Sequence, residues 1–273
     1  FLMVAEDRQL LHPTNAKPES RDLYAQGYSL TSLRKQCYRA ASWDKHHDRY
    51  EGVKIVFKAL AHGQPALALP ALGGLFADDR LPHLETARLR NKAFMEALYR
   101  LSWLSDKTGM VPVNWRAMET EELGSVYESL LELQPQLGDD GKTLVFASEA
   151  AEQKGNQRKT TGSYYTPDSL VQALLDTALD PVLDKTEPDK LLKLTVIDPA
   201  CGSGSLLIKA SEMVGSNNFA LYGQEVNGAT WALARMNMFL HNVNYDKFNI
   251  QLGNTLLEPH FGDDKPFDAI VSN

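Results

Sequence analysis

The stretch Leu194–Ile208, LTVIDPACGSGSLLI, constrains the fold more than any other part of the chain. A short apolar run, Leu194–Ile197, ends in Asp198, then comes a turn of small residues, Pro199–Gly204, and then the apolar helical start Ser205–Ile208. This order reads as strand, tight loop and helix. Gly202 and Gly204 let the backbone approach a ligand closely and adopt conformations that a side chain disfavours. The helix that follows offers unpaired N–H groups and a partial positive charge to an anion. Asp198 falls where the strand ends, which in an open α/β sheet is the ligand edge. A loop that joins an acid to amide donors suits a ligand carrying both an ammonium and a carboxylate.

Two common glycine-loop chemistries are excluded by the residues themselves. A phosphate loop requires Gly-Lys-Ser/Thr, and no such Lys follows Gly204. A dinucleotide fingerprint requires a third Gly, and Leu207 occupies that place. The 273 residues suffice for one large or two ordinary domains, and 43% hydrophobic with 23% charged residues describes a globular chain. Two cysteines, Cys37 and Cys201, cannot build a disulfide framework, which points to a reducing compartment and a cytoplasmic location. No apolar run reaches membrane-spanning length. The net charge of −7 is opposite to a basic nucleic-acid footprint, so the main grip on any nucleic acid is expected outside this chain, unless its basic residues are locally clustered. The chain opens on FLMVA without an initiator Met and stops at Asn273 just after a strand-like run, as a piece of a longer protein would.

Residues 1–155 are expected to form a mainly helical domain, with helices over Phe1–Leu11, Leu30–Trp43, Gly52–Ala61, Arg88–Leu104 and Thr120–Leu133. The last opens with Thr-x-x-Glu, a capping-box pattern. Pro13 and Pro18 mark loops, and the polar run 138–159 reads as an interdomain linker. His46, His47 and Asp48 read as solvated surface, because adjacent histidines face different sides of a helix. No metal site is expected.

Residues 156–273 carry the alternating strands and helices. Thr161–Pro167 (TGSYYTP) precedes a helix, Asp168–Leu179, with Thr166 as cap and Pro167 as first helical residue. Phe219–Glu225 is a second strand ending in an acid, and such an acid accepts hydrogen bonds from ribose hydroxyls in doubly wound sheets. A helix, Thr230–Asn242, follows, with Met236, Met238 and Phe239 in the core. Ile250–Thr255 gives a third strand and turn, and Phe267–Asn273 a fourth strand.

DPACGSGSLL closely resembles the first motif of the amino-group DNA methyltransferases, which bind S-adenosylmethionine. Ser163–Pro167 (SYYTP) resembles the Tyr-Thr-Pro element of the γ-type adenine methyltransferases, and YGQEVN around Glu225 is similar to type I modification subunits. ELGSVYESLLE (122–132) and the earlier ALPALGGLF look like the region before the catalytic domain of large restriction–modification methyltransferases. The order of motifs is the γ-like one, as in type IIG restriction enzymes and type I modification subunits.

The resemblance implies an α/β fold: an incomplete Rossmann-like S-adenosylmethionine-dependent methyltransferase sheet, preceded by the mainly helical N-terminal domain. It implies cofactor binding by Tyr164, Tyr165, Thr166, Pro167, Asp198, Pro199, Ala200, Gly202, Gly204, Glu225 and Asn254. Asn254 stands where the family has an Asp that contacts the adenine ring. Asn273 matches the first residue of the catalytic Asn-Pro-Pro-aromatic motif, whose remaining residues are not in this chain. The implied function is site-specific methylation of a flipped-out adenine N6 in double-stranded DNA, within a restriction–modification system that includes a specificity or nuclease subunit or domain, and with the fragment alone inactive. N4-cytosine methylation is the chemically nearest alternative, and a non-catalytic assembly role is another. Enzymes that methylate protein glutamine or RNA with a similar Asn motif usually lack the upstream Tyr-Thr-Pro element.

Overall fold

The computed structural model describes the chain except residues 74–75, 79–81, 119–121, 125, 127–132, 149–165, 216–219, 244–246, 262–265 and 273. It forms two units, Phe1–Ala117 and Met118–Asn273.

In the first unit the helices are α1 (Leu2–Asp7), α2 (Pro18–Gly27), α3 (Leu30–Cys37), α4 (Asp48–His62), α5 (Pro82–Thr86) and α6 (Asn91–Ser102). The Glu6 carboxylate organises one corner: it accepts from Tyr24 OH, from Leu30 N at 2.8 Å and from Thr31 N at 2.7 Å. An acid on the first N–H groups of α3 satisfies orphan donors and complements the helix dipole. Ser29 caps the same helix by accepting from Ser32 N.

Several expected helices are shorter. The first ends at Asp7, and Gln9 turns the chain with φ 60°. The second expected helix stops at Cys37 and continues only as a 3-10 turn, Ala40–Ser42. Pro18 is not merely a loop marker. It opens α2 at the first helical position, where its missing N–H costs nothing. The helix expected over Arg88–Leu104 covers only Asn91–Ser102, and its buried face is Asn91, Met95, Leu98 and Ser102, with Leu89 and Leu101 exposed. The chain then turns into a hairpin, β1 (Trp103–Asp106) and β2 (Gly109–Pro112), because Asp-Lys-Thr-Gly is a turn sequence with Gly109 at φ 126°.

A second hairpin, β3 (Leu133–Leu137) with β4 (Leu144–Ser148), corrects the linker expected from residue 138 and ends the expected helix before Leu133. The Gly-Asp-Asp-Gly run is its turn, held by Asp140, which accepts from Lys142 N and Thr143 N. Polar, glycine-rich sequence suits a hairpin turn as well as a linker. Of the expected Thr120–Leu133 helix, residues 122–124 and 126 are helical, and most of the rest lies outside the described residues.

The remaining elements are α7 (Asp168–Ala178), α8 (Asp180–Leu183), β5 (Thr195–Asp198), α9 (Ser205–Val214), β6 (Ala220–Glu225), α10 (Gly228–Leu240), β7 (Phe248–Leu252) and β8 (Ala269–Ile270). The cap of α7 is Pro167 itself, with ψ 140°, so the helix starts one residue later than Thr166-capping predicts. Strands β5 to β8 form a parallel sheet in the order β7-β6-β5-β8. The chain moves outward from β5 through β6 to β7, then returns to the other side of β5. That reversal places the sheet's topological switch point, where open α/β sheets bind ligands, at the carboxyl ends of β5 and β8. Asp268 fixes the returning strand: its Oδ2 accepts from Thr195 N at 2.8 Å and Thr195 Oγ1 at 2.9 Å.

Alternation is weak in the central strands β5 and β6, whose faces are both covered, and returns in the outer strands β7 and β8. Val196, Leu221 and Ile250 pack with Leu175, Leu207 and Met238 in one core. Leu207 on α9 is fully buried. Its replacement by Ala is expected to cost about 2–5 kcal/mol, read as a lowered midpoint in urea unfolding; an unchanged midpoint would contradict this packing.

Candidate active site

The carboxyl ends of β5 and β6 bring two acids to one loop. Asp198 is 1% and Glu225 8% exposed. Asp198 Oδ1 accepts from Ala200 N at 3.0 Å. Glu225 spans the gap between strands: Oε2 accepts from Gly202 N at 3.0 Å and Oε1 from Asn227 N at 2.7 Å. Among the described residues neither carboxylate has a cationic partner. Burial first, and then the charge of Glu225, push the Asp198 carboxyl up to about 7, against the Ala200 hydrogen bond, which lowers it. A ligand cation would therefore stabilise the ionised form strongly.

The loop between the acids is fastened from several sides. Cys201 N donates to Gln224 O at 3.0 Å, and Gly204 N to Cys201 O at 2.7 Å. Thr255 Oγ1 donates to Pro199 O. Asn237 Nδ2 donates to Ser203 O at 3.0 Å. Both glycines are left-handed, Gly202 at φ 54° and Gly204 at φ 84°. A Cβ on Gly202 would meet nothing within 4 Å, so that side of the loop is open, whereas one on Gly204 would lie 3.1 Å from Met238 Cε. The amides of Ser203 and Ser205 take no partner among the described residues. Burial and the two neighbouring acids push the Cys201 thiol well up, so it stays protonated and is no nucleophile.

Asp198, Pro199, Ala200, Gly202, Gly204 and Glu225 thus share one loop and the ends of its two neighbouring strands, β5 and β6. Thr166 and Pro167 precede α7, whose Asp168 lies 3.6 Å from Lys209 Nζ on α9, one turn beyond the loop. Asn254 is exposed on the adjoining turn, where its Oδ1 accepts from Leu256 N at 2.9 Å. Tyr164, Tyr165 and Asn273 lie outside the described residues. Val271 N donates to Ile197 O at 2.9 Å, so the chain passes beside Asp198 two residues before Asn273.

Three supports were not singled out from the sequence. Gln224, 1% exposed, donates to Glu258 O at 2.8 Å and accepts from His260 N at 3.1 Å, pinning the turn after β7. Thr255 and Asn237 hold the loop directly. Gln224 sits next to the acid in YGQEVN, and that adjacency was its one available signal. Among the described residues no cluster of potential metal ligands occurs, and no helix is long and apolar enough to cross a membrane.

Residues 145–273 match the family model described as N-6 DNA Methylase. Similar curated proteins include a "Type I restriction enzyme MpnII methylase subunit" of Mycoplasma pneumoniae, 37% identical over 43% of this chain and 22% of that protein. The "Type I restriction enzyme MjaVIII methylase subunit" of Methanocaldococcus jannaschii is 39% identical over 37% of this chain and 16% of its own length. The "Type I restriction enzyme HindI methylase subunit" of Haemophilus influenzae is 33% identical over 47% of this chain and 26% of its own. The matched part is therefore about a quarter or less of each relative. With the loop, its two acids and the parallel sheet in place, residues 145–273 are similar to the N-6 DNA Methylase family over a little under half of the chain.

Proposed function

We propose that the chain is part of an S-adenosylmethionine-dependent DNA adenine-N6 methyltransferase of a restriction–modification system. The observation that carries this reading is the pair of buried acids, Asp198 and Glu225, which have no cationic partner among the described residues and flank an open glycine loop. These groups fit the cofactor. An ammonium would relieve the cost of a buried Asp198 carboxylate, and the unpartnered amides of Ser203 and Ser205 suit a carboxylate. Each oxygen of Glu225 uses one lone pair on a main-chain amide and keeps another for ribose hydroxyls. Val226, 64% exposed beside Glu225, offers apolar surface to a ring. Pro199, Ala200, Gly202 and Gly204 shape the loop. Tyr164, Tyr165, Thr166 and Pro167 cover the amino-acid end, and Asn254 meets the adenine ring.

When bound, S-adenosylmethionine supplies a methyl group on positively charged sulfur. The chain's own residues hold and orient that group and keep water away. The exocyclic nitrogen of adenine is a poor nucleophile because its lone pair is delocalised into the ring. Asn273 accepts one of its hydrogens, a backbone carbonyl accepts the other, and nitrogen density localises for in-line attack. The bound cofactor would supply the methyl group and depart as its uncharged thioether, and the proton released by the amine would pass to solvent. Positioning and carbonyl dipoles lower the barrier. The base must leave the duplex stack, at a cost of about a few kcal/mol. Double-stranded DNA is the substrate, a specificity or nuclease subunit or domain the partner, and the cytoplasm the location.

Calorimetric titration of this chain with S-adenosylmethionine and with its demethylated product tests the pocket. Saturable binding of both supports the reading. If neither binds to this chain nor to the longer protein that contains it, the reading fails.

A further inference from the structure

We infer that Asn237 is the positioning residue that sets the glycine loop for the carboxylate end of the cofactor, an inference that rests on the reading above. Asn237 lies on α10 and is fully buried in a helix otherwise packed with small and apolar residues. Its Nδ2 donates to Ser203 O at 3.0 Å. A carbonyl oxygen can only accept, so this contact fixes which way the side-chain amide faces. Its Oδ1 has no hydrogen-bond partner among the described residues. An unpaired buried oxygen is costly, and an apolar side chain would avoid that cost. The amide is thus poorly explained by stability and well explained by what it holds.

What it holds is one peptide plane. Asn237 takes the oxygen of the Ser203–Gly204 peptide, and Cys201 O takes its N–H at 2.7 Å. With both ends tied, the plane cannot rotate. Gly204 is left-handed at φ 84°, and a Cβ there would lie 3.1 Å from Met238 Cε and 3.6 Å from Ala234 Cβ. Ala234, Asn237 and Met238 follow at helical spacing, so one face of α10 backs the loop. The amides on either side of the locked plane, those of Ser203 and Ser205, have no partner among the described residues, like those of Leu206 and Leu207 in the first turn of α9. Locking the plane preorganises them for an anion, so that binding does not have to order the loop.

The test compares S-adenosylhomocysteine with 5′-methylthioadenosine, which lacks the amino-acid end, on wild type and Asn237→Leu. Loss of the donor is expected to weaken S-adenosylhomocysteine about tenfold, the scale of one lost hydrogen bond. Affinity for 5′-methylthioadenosine and the thermal midpoint are expected to stay near wild type. Asn237→Asp places an acceptor against Ser203 O, and it carries the same expectation should the leucine variant not fold. Equal losses for both ligands would mean a general structural role and overturn the inference, as would unchanged affinity for both. If wild type binds neither ligand, both as this chain and as the longer protein that contains it, the cofactor reading falls and the inference with it.

Discussion

Asp198→Ala is expected to weaken S-adenosylmethionine binding about a hundredfold, the scale for removing one partner of a buried charge pair. The same carboxylate sets a pH dependence. In the free protein it is held near 7 by burial, so it is largely protonated below that. A bound ammonium favours the ionised form, so binding releases a proton below pH 7. Affinity is expected to rise about tenfold per pH unit up to about 7 and then level off. Stability of the free protein moves the other way. A carboxyl whose folded value lies above its unfolded value binds more protons when folded, so its contribution falls as pH rises from about 4 to about 7. Asp198→Asn should flatten both profiles. Calorimetry across this range checks the first and urea midpoints the second; a pH-independent affinity in the wild type would remove Asp198 from the cofactor contact.

Asn273→Ala, made in the longer protein, is expected to lower methyl transfer by about a thousandfold, the upper range for losing one preorganised polar group. Cofactor affinity should stay within about twofold, because in the proposed mechanism the side chain acts on the base. A single-turnover methylation assay on duplex DNA, paired with calorimetry, separates the two. Retained turnover would take Asn273 out of the mechanism.

Strand, loop and helix around Asp198 were legible because the signal is local. Small residues and a strand-end acid declare themselves within a few positions. Glu225 was legible for the same reason. Asn237 was not, because a polar residue inside an apolar helix acquires meaning only when the fold brings Ser203 against it. Gln224 and Thr255 are similar: each binds a carbonyl or amide tens of residues away. In the first half the errors have another cause. Apolar spacing in Arg88–Leu104 continues past Ser102, yet the strand pairing of Trp103 with Pro112 outweighs helix propensity there. The polar run from Gly138 is locally indistinguishable from a linker until Leu144–Ser148 pairs with Leu133–Leu137.

The two acids around the loop also bear on which abundant nucleotides stay out. A helix start after a glycine turn would ordinarily welcome a phosphate. Here Glu225 already occupies Gly202 N, one of the loop amides open to such a group, and Asp198 lies under the turn. Any triphosphate or 2′-phosphorylated ribose arriving at the loop would have to face Glu225 and, above about pH 7, an ionised Asp198 in a setting of low dielectric. On the proposed function, ATP and NADPH would meet repulsion where a zwitterion with an unphosphorylated diol would meet complementary charge.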